Sequence, residues 1–236
     1  KNLTPGKMYT HISSPVGQYI RGLSPSVVSP RIVKNFSSLK KDYSIGNRPL
    51  QILFTGQFGI RKGARYVIAA LEDLAADGVD FQFTALGDAT EAAELVAASP
   101  IADRVRLAGF LPQDDLKSYL ASADIYLFPS LAEGCASSAM EAMAAGLPIV
   151  TTRETGLPAK HNENAWIIPS KDASAIADAI RFLAHDEVAR RQLGVAAAEM
   201  ISSRFKWSDY GRNVGAIYNR VHGERGLSAP EEYDPS

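Results

Sequence analysis

The segment QILFTGQFGIRKGARYVIAALEDLAA, at residues 51–76, decides the fold. It opens with a short apolar run, Gln51–Thr55, of the kind that forms a buried strand. A glycine-rich loop follows at 56–63, and a helical pattern then runs over 64–76. The apolar positions of that pattern share one helix face: Val67, Ile68, Leu71 and Leu74. A strand, a glycine loop and a helix in this order are the first part of a βαβ unit.

The same alternation continues along the chain. Five more strands are predicted at Phe81–Leu86, Arg104–Ala108, Asp124–Phe128, Leu147–Thr151 and Ala165–Ile168. The remaining helices are predicted at Glu91–Ala98, Gln113–Ser122, Ser137–Ala145, Ala173–Ala184, Val188–Ser202 and Trp207–His222. This spacing predicts an α/β fold, a doubly wound, mainly parallel, Rossmann-like sheet of about six strands with helices on both faces. Ligands of such sheets bind beyond the carboxyl ends of the strands.

Composition changes mark the expected domain boundaries. Residues 1–48 are rich in Ser, Pro, Gly and Lys, which is typical of a connector with one short strand at Ser26–Val33. We expect one domain over 49–222 and a disordered tail over 223–236. Because the first residue is Lys1 and not Met, we expect the chain to begin inside a longer gene product.

Charge and cysteine content exclude several function classes. With 25 Lys+Arg against 26 Asp+Glu, the formal net charge of −1 argues against a general nucleic-acid binder. A single cysteine, Cys135, excludes an intramolecular disulfide framework and favours a reducing, cytoplasmic compartment. The chain has no run of about 18 apolar residues that would form a transmembrane helix. No HxH or HExxH spacing occurs among its four histidines: His11, His161, His185 and His222.

The loop at 56–63, GQFGIRKG, has the chemistry of a phosphate site. Gly56 and Gly59 let backbone N–H groups approach an anion closely, because they carry no Cβ. Arg61 and Lys62 add two cations, and the following helix directs its positive end toward the same loop. The loop matches neither the P-loop nor the GxGxxG pattern. The alternative interpretation is a surface turn with two solvated cations.

The second candidate region runs from Phe128 to Val150 and carries Glu133 and, eight residues later, Glu141. Ser137 or Ser138 is the expected N-cap of the helix between 137 and 145. The backbone amides of three residues at its start would face the ligand edge of the sheet: Ala136, Ser137 and Ser138. Glu141 could accept hydrogen bonds from a ribose diol. The alternative is that both acids are ordinary, one in a loop and one in the first turn of a helix.

Taken together, these segments resemble a known family. The order is G-x-x-x-x-[RK]-K-G, a strand and Gly-Asp, VRLAGFLPQDDLKSYLASADIYLFPS, and E-x7-E followed by AMAAGLPIV. It is similar to the C-terminal, nucleotide-sugar-binding half of a GT-B glycosyltransferase of the retaining family-4 type. The resemblance covers the chain from about Pro49 to Tyr218. Two departures concern the donor site, since many relatives have Gly-Arg where this chain has Gly56-Gln57, and Glu-Gly-Phe-Gly where it has Glu133-Gly-Cys-Ala.

The resemblance implies a role for each matching residue. Lys62 would contact the donor diphosphate with help from Arg61, and the backbone around Gly56 and Gly59 would approach the sugar or phosphate. Glu133 would face the transferred sugar and act as the catalytic residue. The segment with Arg106 and Leu107 would contact the base. Glu141 would contact the ribose. Sugar hydroxyls and phosphate would be bound by three backbone amides, those of Ala136, Ser137 and Ser138.

The implied reaction is transfer of a sugar from a UDP- or GDP-linked donor to a glycan, lipid-linked or small-molecule acceptor, with retention at the anomeric carbon. The resemblance implies no metal and no other cofactor, and the sequence shows no clear DxD-type metal site. The acceptor would bind to a missing N-terminal domain, through which the whole protein could associate with the membrane surface. This chain alone would bind donor and transfer poorly.

Three alternatives stay open at this point. An NDP-sugar epimerase would share the phosphate loop and the ribose contact. A non-catalytic binding or assembly module would keep the fold, and Gln57 in place of arginine favours it while Glu133 and Glu141 oppose it. A nicotinamide oxidoreductase is a more distant alternative, because the glycine fingerprint and its downstream ribose acid are missing.

Overall fold

The computed structural model describes residues 36, 39–134, 136–205, 212, 215–216 and 218–220. Six strands occur in this part of the chain: β1 (Leu50–Thr55), β2 (Phe81–Leu86), β3 (Val105–Gly109), β4 (Ile125–Phe128), β5 (Ile149–Thr152) and β6 (Trp166–Ile168). The predicted strand at Ser26–Val33, the tail at 223–236 and Cys135 lie outside the described residues. Of the predicted last helix, the few described residues are helical.

The strands form one parallel sheet in the order β3-β2-β1-β4-β5-β6. The chain first builds outward from β1 to β3 and then restarts on the other side of β1 with β4. The direction of winding therefore changes between β1 and β4, which is where doubly wound sheets open a crevice for a ligand. The predicted fold class is confirmed.

Helices flank this sheet. In the described residues they are α1 (Ala64–Ala76), α2 (Ala93–Ala97), α3 (Gln113–Ser122), α4 (Ser137–Ala144), α5 (Ala173–His185) and α6 (Glu187–Arg204). Helix α1 packs against α5, and α4 packs against α6. All four residues of β4 and of β5 are buried, because helices cover both faces of the sheet.

One local prediction is confirmed in part and another is wrong. The helix expected over Glu91–Ala98 is a 3-10 turn, Thr90–Ala92, followed by the five residues of α2. The N-cap of α4 is Ala136, without a side-chain hydrogen bond, and not Ser137 or Ser138. The Ser138 hydroxyl donates instead to the Thr55 carbonyl oxygen, at the end of β1, at 3.2 Å. Its side chain therefore does not cap the helix.

Aromatic side chains anchor the loop after β1 to the core. Phe58 is fully buried, and its ring lies 5.1 Å from the ring of Phe54 and 5.3 Å from that of Phe83. Phe54 stacks in turn on Phe128 at 5.3 Å. Such pairs add about 0.5–1.5 kcal/mol beyond the burial of their area. The loop therefore leaves the sheet from a fixed base.

At the opposite, amino edge of the sheet, a buried carboxylate organises the start of β1 and β4. Asp124 accepts two N–H bonds from Arg48, at 2.6 and 2.7 Å, and one from the backbone of Gln51 at 2.8 Å. Lys41 donates to the carbonyl oxygens of Ala121 and Ala123. Burial lowers the pKa of Lys41 to about 8. Residues 41–48 are thus fastened to the domain by side chains.

A second buried cation fastens the same segment. Arg190, in α6, is buried and donates to the carbonyl oxygens of Tyr43, Leu183 and Ala184. The Tyr43 hydroxyl donates to the carbonyl oxygen of Gly146 at 2.8 Å. A buried carbonyl group without a partner costs about 1–3 kcal/mol, so these bonds help to hold residues 41–48 against the domain.

Candidate functional site

Three loops meet at the carboxyl edge of the sheet, after β1, β2 and β4. The backbones of the first two cross closely, because the Gly56 N–H donates to Leu86 at 2.8 Å and the Phe58 N–H donates to Asp88 at 2.7 Å. Gly87 has a φ of +116°, and a Cβ there would lie 2.4 Å from the Gly56 carbonyl oxygen. Only glycine fits at this crossing.

Several backbone amides of the loop at 56–63 are paired within the protein. Besides the N–H groups of Gly56 and Phe58, that of Ile60 is also paired, with the carboxylate of Glu91 at 3.0 Å. Residues Ile60–Lys62 form a single 3-10 turn, so α1 begins only at Ala64. Of the two glycines predicted to approach an anion, Gly56 thus has its N–H paired within the protein, and the Glu91 carboxylate lies close to Gly59.

Arg61, Lys62 and Glu133 converge on one point. One carboxylate oxygen of Glu133 accepts from Arg61 at 2.8 Å, from the Lys62 ammonium, and from the Ser130 hydroxyl at 2.9 Å. The Lys62 side chain is 11% exposed and that of Glu133 is 10% exposed, whereas Arg61 is 55% exposed. The structure thus brings together the two predicted phosphate cations and the predicted sugar-facing acid.

The loop that carries Glu133 is held by its backbone. The Leu131 N–H donates to the Arg61 carbonyl oxygen at 2.9 Å, and the Glu133 N–H donates to that of Glu154 at 3.0 Å. The Thr152 hydroxyl, at the end of β5, donates to the Ser130 carbonyl oxygen at 2.6 Å. Groups from both neighbouring loops therefore fix the position from which the Glu133 side chain extends.

The electrostatics of Lys62 reflect two opposing effects. Burial lowers the pKa of Lys62, and the hydrogen bond and charge of Glu133 partly oppose that change. The ammonium also lies 4.7 Å from the centre of the Phe128 ring, a favourable cation–π distance. Lys62 is thus a largely desolvated cation, which makes it a strong attractor for an anion.

Glu141 lies in the second turn of α4, in a different environment. Its carboxyl group is half-buried, and desolvation raises its pKa. Beside it, the Tyr126 hydroxyl is fully buried and lies 2.6 Å from the Thr55 hydroxyl. Burial also raises the pKa of Tyr126, and the negative charge of Glu141 adds to this increase. A half-buried carboxylate at the ligand edge suits a polar ligand that brings its own hydroxyl donors.

The other predicted residues are placed as follows. Ala136 is buried, Ser137 is exposed and Ser138 is half-buried, at the start of α4. Arg106 and Leu107 lie within β3 and not in the loop beyond it, and the Arg106 guanidinium is 5.8 Å from the Tyr119 ring centre. The structure does not bring Arg106 or Leu107 into the Glu133 cluster.

Sequence reasoning missed two members of the site. Ser130 contacts Glu133, and Glu91 pairs with the Ile60 backbone. The sequence does contain a signal for Ser130. It directly follows Pro129 at the end of a predicted strand, in the loop that carries Glu133. Glu91 gives no comparable signal, since the sequence predicts it at the start of a helix.

Among the described residues, no group of three or more His, Cys, Asp or Glu side chains could hold a metal ion. No helix within the described part of the chain is long and apolar enough to cross a membrane.

Comparisons with known proteins agree on one group. The family model described as "Glycosyl transferases group 1" matches residues 49–186. The amylovoran biosynthesis glycosyltransferase AmsK of Erwinia amylovora is 33% identical over 186 residues, which is 74% of this chain and 46% of AmsK. The 2-deoxystreptamine glucosyltransferase of Streptomyces kanamyceticus is 34% identical over 123 residues, which is 50% of this chain and 32% of the relative. The chain spans about half the length, or less, of these relatives.

Solved structures show the same fold. Sucrose-phosphate synthase from Thermosynechococcus elongatus superimposes with a TM-score of 0.64 at 27% identity, over 75% of this chain and 46% of that one. Anabaena HepE in complex with UDP-glucose superimposes with a TM-score of 0.64 at 18% identity, over 72% of this chain and 49% of that one.

Proposed function

The chain belongs to the glycosyl transferases of group 1, and on this premise we propose that its domain binds the nucleoside diphosphate of a sugar donor. The observation that carries the proposal is the convergence of Arg61, Lys62 and Glu133 beyond the carboxyl ends of β1 and β4. Two cations at a topological switch point suit a diphosphate. The structure of HepE with UDP-glucose supports a donor of this class.

Arg61 and Lys62 would neutralise the charge that develops on the leaving diphosphate. Lys62 is desolvated and fixed in place, and a preorganised cation in a site shielded from water stabilises a developing anion more than a solvated one does. The first turn of α4 has no side-chain cap, so its N–H groups, from Ser137 and Ser138 onward, can add to this stabilisation.

The two acids would divide the donor between them. Glu133, beside the diphosphate cations, would face the transferred sugar and act as the catalytic residue, and Glu141 would accept hydrogen bonds from the ribose. We propose transfer with retention of the anomeric configuration to a glycan, lipid-linked or small-molecule acceptor. The acceptor would bind to a further, N-terminal domain, and the reaction would take place in the cytoplasm. The diphosphate cations would take the place of a metal.

Calorimetric titration of this chain with UDP, GDP and ADP, each against its nucleoside, tests the donor-binding proposal. We expect selective binding of one nucleoside diphosphate, with the nucleoside bound more weakly because Lys62 and Arg61 have no phosphate to contact. Failure of all three diphosphates to bind would contradict the proposal.

Replacing Glu141 by alanine should weaken binding of the preferred nucleotide and of its nucleoside alike. Loss of a charged hydrogen-bond acceptor corresponds to roughly a 10- to 100-fold weaker affinity. Glu163→Ala is a suitable control, because Glu163 is exposed and pairs only with Lys160 among the contacts described. Unchanged nucleoside affinity of the Glu141→Ala variant would rule out a ribose contact.

A further inference from the structure

We propose that Glu133 is an internal counter-anion, which holds Arg61 and Lys62 in the free protein and which the donor diphosphate replaces. This inference rests on the donor-binding function proposed above. A single carboxylate oxygen of Glu133 receives both cations and the Ser130 hydroxyl. The groups expected to bind the diphosphate are therefore already engaged by an anion of the protein.

Burial explains why such a counter-anion is needed. The side chains of Lys62 and Glu133 are each only about a tenth exposed. A cation in this position without a partner loses hydration and receives nothing in return, a cost of several kcal/mol per ion. Pairing with Glu133 keeps Lys62 charged and in place until a diphosphate arrives.

The surroundings allow Glu133 to change partners without movement of its loop. The backbone is fixed by the Glu133 N–H on Glu154 and by the Thr152 hydroxyl on Ser130. In the described part of the chain, the contacts seen for the carboxylate are with three side chains, those of Ser130, Arg61 and Lys62. Rotation of the Glu133 side chain is therefore sufficient to free both cations.

Ser130 positions this exchange. It is completely buried, and its hydroxyl lies 2.9 Å from the Glu133 carboxylate and 3.2 Å from the Arg61 carbonyl oxygen. A serine hydroxyl has one proton to donate. When the carboxylate leaves, that proton can turn to the Arg61 carbonyl oxygen, so the buried hydroxyl keeps a partner in both states.

The exchange has a consequence for catalysis. Because the ion pairs of Glu133 must be given up, donor binding is weaker than the two cations alone would make it. The released carboxylate then stays in the loop beside the bound diphosphate, where the proposed function requires an acid that faces the transferred sugar. Uniformly tight donor binding would lower KM without raising kcat, so the weaker ground-state binding does not slow the transfer step.

Replacing Glu133 by glutamine tests the inference, with UDP, GDP and ADP as probes. We expect the preferred nucleoside diphosphate to bind roughly tenfold more tightly than to the unsubstituted chain, which is the low end of the coupling measured for close charge pairs. Affinity for the bare nucleoside should not change. The matched control is Glu163→Gln, which makes the same change in net charge at an exposed position away from the cluster.

The outcomes separate the two proposals. If the unsubstituted chain binds a diphosphate and Glu133→Gln binds it equally or more weakly, the counter-anion role is wrong while donor binding stands. If neither protein binds any diphosphate, both the donor-binding proposal and the counter-anion proposal are wrong. If Glu163→Gln tightens binding as much as Glu133→Gln, the effect comes from net charge and the counter-anion role is again wrong.

The pH dependence of diphosphate binding gives an independent readout. Burial and the neighbouring Arg61 lower the pKa of Lys62, and Glu133 raises it. The Glu133→Gln substitution should lower the pKa of Lys62 further. Lys62 then loses its proton at a lower pH, and from that pH upward it no longer offers a positive charge to the diphosphate. We expect affinity to fall with rising pH in both proteins, and to fall at a lower pH in Glu133→Gln. Ionisation of the ligand is common to both titrations, and coincident profiles would contradict the inference.

Discussion

Replacing Gly194 by alanine is expected to lower the free energy of unfolding by about 3 kcal/mol, the upper part of the range for overpacking. Gly194 lies in α6, where this helix packs on α4. A Cβ at residue 194 would lie 2.1 Å from the carbonyl oxygen of Gly146 and 2.6 Å from the Tyr43 hydroxyl. Both atoms belong to one buried hydrogen bond, so neither can give way without breaking it.

Helix propensity alone predicts the opposite result. Alanine in a helix interior is about 1 kcal/mol more favourable than glycine. Gly215→Ala is the matched control, because Gly215 is helical and a Cβ there would meet nothing within 4 Å. Urea denaturation of both variants, compared through the midpoint at constant m-value, separates packing from propensity. A Gly194→Ala variant as stable as the parent would show that α6 is not packed as described.

Replacing Lys62 by alanine is expected to weaken binding of the preferred nucleoside diphosphate by about 100-fold, and to leave the nucleoside unaffected. The reason is the loss of a desolvated cation whose charge-assisted hydrogen bonds to phosphate are each worth up to about 3 kcal/mol. Arg61 cannot replace it, because its side chain is 55% exposed and its charge is screened by solvent.

Calorimetry with diphosphate and nucleoside measures this effect directly. Lys160→Ala is the control, since Lys160 is an exposed lysine paired with Glu163. An equal loss of affinity for nucleoside and diphosphate would contradict phosphate contact by Lys62. It would indicate instead that the substitution disturbs the loop at 56–63 as a whole.

The strands could be predicted from the sequence because buried parallel strands are apolar on both faces and therefore stand out as short runs. The prediction began β1 at Gln51, and the structure begins it at Leu50. For β5 the prediction began at Leu147 and the structure begins at Ile149. Strand ends depend on backbone pairing with a neighbour, which an apolar run does not specify.

Local rules failed where a distant partner competes for the same group. The Ser138 hydroxyl was expected to cap α4, and it bonds instead to Thr55, 83 residues earlier in the chain. The helix predicted from Glu91 begins as a 3-10 turn, and the Glu91 carboxylate pairs with the Ile60 backbone. Neither partner can be identified from neighbouring residues.

The sequence predicts which residues belong to the site, but not which of them contact one another. Lys62 and Glu133 were both chosen for their chemistry, and their roles stay predictions. Their contact across 71 residues depends on β1 and β4 being neighbours in the sheet. Sequence spacing alone does not give that adjacency, so the pairing of the acid with both cations became visible only in the fold.

Strand β4 separates two groups of charged and polar residues. Asp124 precedes the strand and helps to hold residues 41–48, whereas Ser130 and Glu133 follow it and belong to the candidate donor site. The four residues of β4 span about 13 Å at about 3.3 Å per residue. That is more than the screening length of about 8 Å at physiological ionic strength. Exposed charges near Arg48, altered to adjust solubility or isoelectric point, should therefore affect an anion held by Lys62 much less than a charge inside the Glu133 cluster does.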